Sequence, residues 1–139
     1  MDQDADIRAI LRDCRTVAVV GLSPKPHRDS HQVARYMQAH GWRIVPVNPV
    51  AAGQTILGEP VHSSLAEAAR HARIDLVNCF RNSADIPPVV DEAIAIGAPA
   101  LWMQLGVEHP GAAARARAAG LRVVQNRCLK IDHANIPNP

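Results

Sequence analysis

The sequence predicts an α/β fold with three layers: a doubly wound parallel sheet of about five strands between two sets of helices. Three observations predict it. Five short apolar runs occupy residues 17–20, 44–47, 74–79, 100–103 and 121–124. The runs are continuous rather than alternating, as in strands buried on both faces of a parallel sheet. Helical patterns fill the gaps between them, which is the alternation that makes parallel crossovers.

A first helix precedes the first run, with Ile7, Ile10, Leu11 and Cys14 on its inner face. The first run ends at Gly21. Val33, Ala34, Met37 and Gln38 then recur at helical spacing, and Gly41 closes that helix. After the second run, the loose stretch 53–60 is expected to cross the surface to a short extra strand near Val61. Ser64-Leu65-Ala66-Glu67 reads as a capping box, in which hydroxyl and carboxylate satisfy free backbone donors. Leu65, Ala68, Ala69 and Ala72 continue it as an apolar stripe. Past the third run, Pro87 and Pro88 suit a first helical turn, where no N–H is needed. Val89, Val90, Ala93 and Ile94 carry that helix to Gly97. An alanine-rich helix over 111–119, stopped by Gly120, separates the last two runs. From Arg127 onward the tail reads as less regular, with Pro137 and Pro139 opposing a long helix.

The 139 residues read as one domain, 1–139, large enough for a core. With 47% apolar but only 3% aromatic residues, Val, Ile, Leu and Ala must build it. A net charge of +2 with no basic run excludes a dedicated nucleic-acid binder. No run approaches the ~20 residues of a membrane span. The opening Met1-Asp2-Gln3-Asp4-Ala5-Asp6 is acidic, unlike a signal peptide. Three scattered cysteines make no disulfide framework, so a cytoplasmic protein is expected. The seven histidines accompany no Cys-x-x-Cys pair, and no metal site is expected.

In such a sheet a ligand lies at the carboxyl ends of the strands, near the point where strand order reverses. The loop after the first run is Gly21-Leu22-Ser23-Pro24-Lys25-Pro26-His27-Arg28-Asp29-Ser30. A glycine, hydroxyls, cations and a fresh helix N-terminus favour an anion there. A phosphorylated small molecule is therefore expected, held by Gly21, Leu22, Ser23, Lys25, Arg28 and Ser30. The competing reading is a stiff connection, fixed by Pro24 and Pro26, with solvated cations. The loop lacks the second and third glycines of the dinucleotide fingerprint. No carboxylate follows the second run either, which argues against a nicotinamide dinucleotide. Val47-Asn48-Pro49 suits packing against an adenine face, unless Pro49 merely ends the strand.

Phe80 and Arg81 follow the third run, and Asn82, Ser83 and Asp85 lead into the next helix. They offer a second group of donors, or else an N-cap and a surface arginine. Gln104 reaches from the core towards the cleft. Cys128 lies between Arg127 and Lys130, with His133 nearby. Cations raise the thiolate fraction, and a Cys–His pair suggests a nucleophile. No residue is placed to orient His133, so a partly buried structural cysteine competes with that reading.

At these residues the chain resembles a family. Residues 16–135 are similar to the small stand-alone coenzyme A (CoA) binding proteins of bacteria and archaea. These share a domain with the N-terminal part of the succinyl-CoA synthetase α subunit. The resemblance rests on Val19-Val20-Gly21-Leu22-Ser23, on Pro26 with Arg28 and Ser30, and on Val45-Pro46-Val47-Asn48-Pro49. It continues through Phe80-Arg81, Trp102-Met103-Gln104-Leu105-Gly106 and Arg127-Cys128-Leu129-Lys130-Ile131-Asp132-His133. It implies a Rossmann-like domain that holds CoA through its diphosphate and adenine. The 21–30 loop would take phosphates, and Val47, Asn48 and Pro49 would border the nucleotide. Phe80, Arg81 and Ala84 would line the opposite wall. The chain departs from the family with Asn78 and Asn126 where an acid is frequent, and Asp132 where Glu is frequent. Loss of two carboxylates leaves a less negative cleft. The synthetase's phosphorylated histidine lies in a second domain, so ligase activity is not carried over.

The sequence thus predicts a cytoplasmic protein that binds CoA or an acyl-CoA, with no catalytic residue assigned. The partner is the small molecule rather than nucleic acid or membrane, and a homodimer is left open. The alternatives are an NAD(P)-dependent oxidoreductase-type domain and a protein-interaction module with a vestigial nucleotide cleft.

Overall fold

Valine and isoleucine suit a pleated surface covered on both sides, and the five apolar runs form the central sheet of the computed structural model, which describes residues 3–136. Pro137 and Pro139, read above as opposing a helix, lie outside the described residues. The chain opens with α1 (Asp4–Asp13), β1 (Thr16–Val20), α2 (Asp29–Ala39) and β2 (Arg43–Val47). A small hairpin follows, β3 (Thr55–Ile56) and β4 (Glu59–Pro60), then α3 (Leu65–Ala69) and β5 (Leu76–Cys79). The order ends α4 (Ile86–Ala95), β6 (Ala100–Met103), α5 (Pro110–Ala118), β7 (Arg122–Val124) and α6 (Leu129–Asn135).

The main sheet runs β2-β1-β5-β6-β7, all parallel. Strand order reverses between β1 and β5, so the crossovers leave on opposite faces there and open a crevice. Successive strand residues point to opposite faces. Val17, Val19, Ile44 and Trp102 thus pack under α1, α2 and α6, against Ile7, Val33, Met37 and Leu129. Ala18, Val20, Val77 and Leu101 face α3, α4 and α5, against Leu65, Val90 and Ala113. The α/β, three-layer, doubly wound expectation holds.

Four details differ from the sequence reading. The third strand starts at Leu76 rather than residue 74, because the Asp75 carboxylate turns back to accept the Arg15 and Thr16 N–H groups at 3.0 and 2.9 Å. The extra strand near Val61 is instead the β3–β4 hairpin, and only His62 bridges to the sheet, at Val47. Half of the capping box forms: Ser64 Oγ accepts the Glu67 N–H at 3.1 Å. The Glu67 carboxylate accepts from the Ser63 hydroxyl at 2.8 Å and meets His62 Nδ1 at 3.3 Å. Those bonds, Ser63 first, hold its carboxyl below the usual range. Finally, the tail is not irregular after Arg127, since α6 folds back over α2.

Both sheet edges carry partners. His62 donates its N–H to the Pro46 carbonyl at 3.0 Å and accepts the Asn48 N–H at 2.9 Å. Just past β7, Gln125 donates its N–H to Gln3 Oε1 at 2.6 Å, and its carbonyl accepts from Gln3 Nε2 at 2.9 Å.

Candidate functional site

The carboxyl ends of the strands deliver Gly21, Asn48, Phe80, Gln104 and Gln125 to one edge of the sheet. Gly21 turns the chain at φ +89°, donating its N–H to the Val47 carbonyl at 2.8 Å. A Cβ there would lie 2.2 Å from the Phe80 carbonyl oxygen, so the β1 turn touches the end of β5 with no room for a side chain.

The loop beyond Gly21 is tied to itself. Ser23 donates its N–H to Ser30 Oγ at 3.0 Å, and its own Oγ accepts the Lys25 N–H at 3.1 Å. Its carbonyl meets His31 Nδ1 at 3.0 Å, and Arg28 donates its N–H to the Lys25 carbonyl at 3.1 Å. The Ser23 hydroxyl keeps its proton to donate. Lys25 and Arg28 are exposed, and no side chain caps the first turn of α2. Ser30 is buried. Asp29 adds a carboxylate to that same turn, where the helix dipole favours it. His27 and His31 stand four residues apart at the start of α2, but His31 is committed to Ser23. Among the described residues no group of three or more metal-binding side chains assembles.

Leu22 is fully buried, so it can offer a ligand only backbone. Asn48 braces the loop: its Nδ2 donates to the Leu22 carbonyl at 3.0 Å and its Oδ1 accepts the Val50 N–H at 3.1 Å. Val47 is buried, while Pro49 and Val50 lie open to solvent beside it, Val50 at 89% exposure. Phe80 and Arg81 are half-buried after β5, and Ala84 is exposed in the turn Ser83–Asp85. Gln104 is only 4% exposed, and its Oε1 accepts the Leu129 N–H at 3.1 Å. Asn126 adopts φ +56° and accepts the Gly106 N–H at 2.7 Å. Asn78 lies wholly buried in β5, with neither end of its amide partnered by the described residues.

Two cavities meet at this edge. One, of about 310 Å³, opens between α2 and α6 and is lined by Gln32, Phe80, Gln104, Leu105, Cys128 and Ile131 among others. The second, of about 440 Å³, is lined by Phe80, Arg81, Asn82, Asp85, Gln104 and Leu105. Phe80, Gln104 and Leu105 belong to both. The structure therefore brings together Phe80, Arg81, Gln104 and Cys128. Gly21, Leu22, Ser23, Lys25, Arg28, Ser30, Val47, Asn48, Pro49 and Ala84 stand outside both linings.

The cations around Cys128 are not aimed at its thiol. Arg127 makes a bidentate pair with the buried Asp132, at 2.6 and 3.1 Å. The Lys130 ammonium sits over the Tyr36 ring, 5.7 Å from its centroid. His133 Nδ1 meets the Tyr36 hydroxyl at 2.9 Å, and its ring lies edge-on to His40 at 5.2 Å. Burial first, then the neighbouring His40 and Arg15, lower the His133 pKa below its ordinary 6.5. Burial pushes the Cys14 and Cys79 thiols up to about 12.

Sequence reading missed Asp29, Gln32 and Ile131 as cavity residues. Asp29 and Gln32 lie one turn apart and so share a face of α2, a signal present in the spacing. Ile131 had no such signal, because its helix was not foreseen.

A family model described as a CoA binding domain matches residues 15–134. The uncharacterized protein YneT of Bacillus subtilis (strain 168) is 39% identical over 130 residues, covering 94% of this chain and 93% of its own. The solved structure of cell-free ID.343 from Thermus thermophilus superposes with a TM-score of 0.85 at 31% identity, over 96% of this chain and 98% of that one. A hypothetical protein from Pyrococcus horikoshii OT3 gives 0.86 at 33% identity, over 96% and 91%.

Proposed function

Since this chain belongs to the CoA-binding domain family, we propose that it binds CoA or an acyl-CoA at the carboxyl edge of its sheet. The observation that carries the reading is the meeting of two cavities at the ends of β5 and β6, one of which reaches the first turn of α2 just after the loop bearing Lys25 and Arg28. The diphosphate sits at that loop, taking Ser23, the two cations and the uncapped turn of α2. Adenine lies on the exposed apolar ledge of Pro49 and Val50 beyond Asn48. Phe80, Arg81, Ala84 and Gln104 supply the opposite wall. No chemical step is assigned to the site. The protein acts as one domain in the cytoplasm; among the described residues no helix is long and apolar enough to cross a membrane.

CoA offers a diphosphate, a 3′-phosphate and adenine, and so uses both cations and ledge. NAD lacks the 3′-phosphate, and no carboxylate follows β2 to hold its ribose hydroxyls. Calorimetric titration should show CoA at least ~10-fold tighter than NAD, about 1.4 kcal/mol. Arg28→Ala should weaken CoA by about 1–3 kcal/mol, the range for losing a charge-assisted hydrogen bond. Equal or reversed affinities for CoA and NAD would overturn the assignment. Unchanged affinity in Arg28→Ala would move the diphosphate away from this loop.

A further inference from the structure

We propose that the cavity between α2 and α6 receives the thiol-bearing arm of CoA, and that Cys128 forms a reversible mixed disulfide with it. The inference deepens the CoA reading above and rests on it.

Three independent observations point to this ligand. The cavity begins where the phosphate loop ends, because the first turn of α2 supplies both the loop's last residues and one cavity wall. An arm leaving the diphosphate there enters it directly. The opposite wall is apolar yet open: Leu105 is 65% exposed and Ile131 52%, beside Phe80. Large aliphatic side chains left open around a cavity suit an aliphatic chain. Between them lies Gln104, a residue only 4% exposed. Its oxygen is fixed by Leu129, and its NH2 group donates to no acceptor among the described residues. An amide donor without a protein partner can bond an acceptor on a ligand, and the arm of CoA carries two amide carbonyls.

Cys128 lines the same cavity and is a free, half-buried thiol. Cys14 and Cys79 are also free, but both are buried in the two cores. Only Cys128 is therefore presented to a thiol or disulfide delivered through the cavity.

The step is thiol–disulfide exchange. The Cys128 thiolate attacks one sulfur of the symmetrical CoA disulfide. Its Sγ–S bond forms as the CoA S–S bond breaks, and the second CoA leaves as thiolate. The proton lost by Cys128 goes to solvent, from which the leaving thiolate takes one. No electron enters or leaves, and excess thiol reverses the exchange.

The test incubates the reduced full-length protein with CoA disulfide and, separately, with cystamine, followed by intact-mass and peptide mapping. Reduced CoA is titrated in parallel by calorimetry. The expected result is one CoA adduct on Cys128, released by reductant, absent in Cys128→Ser. It should form at least ~10-fold faster than the cystamine adduct, because docking raises the local disulfide concentration. No adduct, an adduct on Cys14 or Cys79, or equal rates for the two disulfides would overturn the inference. The rate comparison uses the parent protein, so it stands even where Cys128→Ser folds poorly. Binding of reduced CoA without an adduct leaves the CoA reading intact and removes this one. Failure of reduced CoA to bind removes both.

Discussion

At Gly21 a single hydrogen decides whether β1 and β5 can end side by side. An added Cβ would lie 2.2 Å from the Phe80 carbonyl oxygen, far inside van der Waals contact, and the +89° φ is itself a region that L side chains avoid. Gly21→Ala should therefore cost at least ~2 kcal/mol in urea unfolding, combining roughly 1–2 for the backbone with overpacking. A variant as stable as the parent would show that the turn relaxes freely. The sequence exposes this glycine because it stands at the end of an apolar run. It does not expose the task of Asn48. Read as a nucleotide border, Asn48 spends both ends of its amide on Leu22 and Val50, leaving Pro49 and Val50 as the open surface there. Only tertiary contact reveals where a polar side chain is committed.

Among the elements, α6 was least legible. It is seven residues long, too short to stand on propensity, and its supports come from far along the chain. Trp102 donates its indole N–H to the Arg127 carbonyl at 2.7 Å, and Gln104 accepts from Leu129. Against α2, His133 packs on Tyr36 and His40, with Lys130 and Arg15 as the neighbouring cations. The folded chain resists protonating His133, whose pKa lies below 6.5, while the unfolded chain takes the proton at its ordinary value. The unfolded state thus binds more protons as the pH falls below 6.5. Stability contributed by neutral His133 is complete above that pH and is lost downward, through the depressed folded value. Urea midpoints measured from neutral pH down to about 5 should fall, and His133→Gln should flatten that slope. An unchanged slope in the variant would assign the pH dependence to other groups.

Across the whole molecule, the five strands were legible because burial on both faces makes them uniformly apolar. Their spatial order was not, since the runs resemble one another and nothing in them records a neighbour. The order puts two cores on one shared sheet, the first under α1, α2 and α6 and the second under α3, α4 and α5. A sheet common to both should unfold them together. Fluorescence of Trp42 and Trp102 reports the first core, and thiol labelling of Cys79 reports the second. Their urea transitions should superimpose. Separate midpoints would show two units opening independently.

The partners at the two sheet edges bear on self-association. A bare edge strand is a template onto which another chain's backbone can add. Along β2, Pro46 has no hydrogen to offer, its carbonyl is taken by His62, and the Asn48 N–H is taken as well. Beyond β7, the side-chain amide of Gln3 imitates a further strand, exchanging one bond in each direction with Gln125. Neither end of the sheet thus presents a free ladder at these positions. At these positions a second copy of the chain cannot add its backbone to the sheet. The same plugs guard the folded protein against fibrillar stacking, which begins from such ladders.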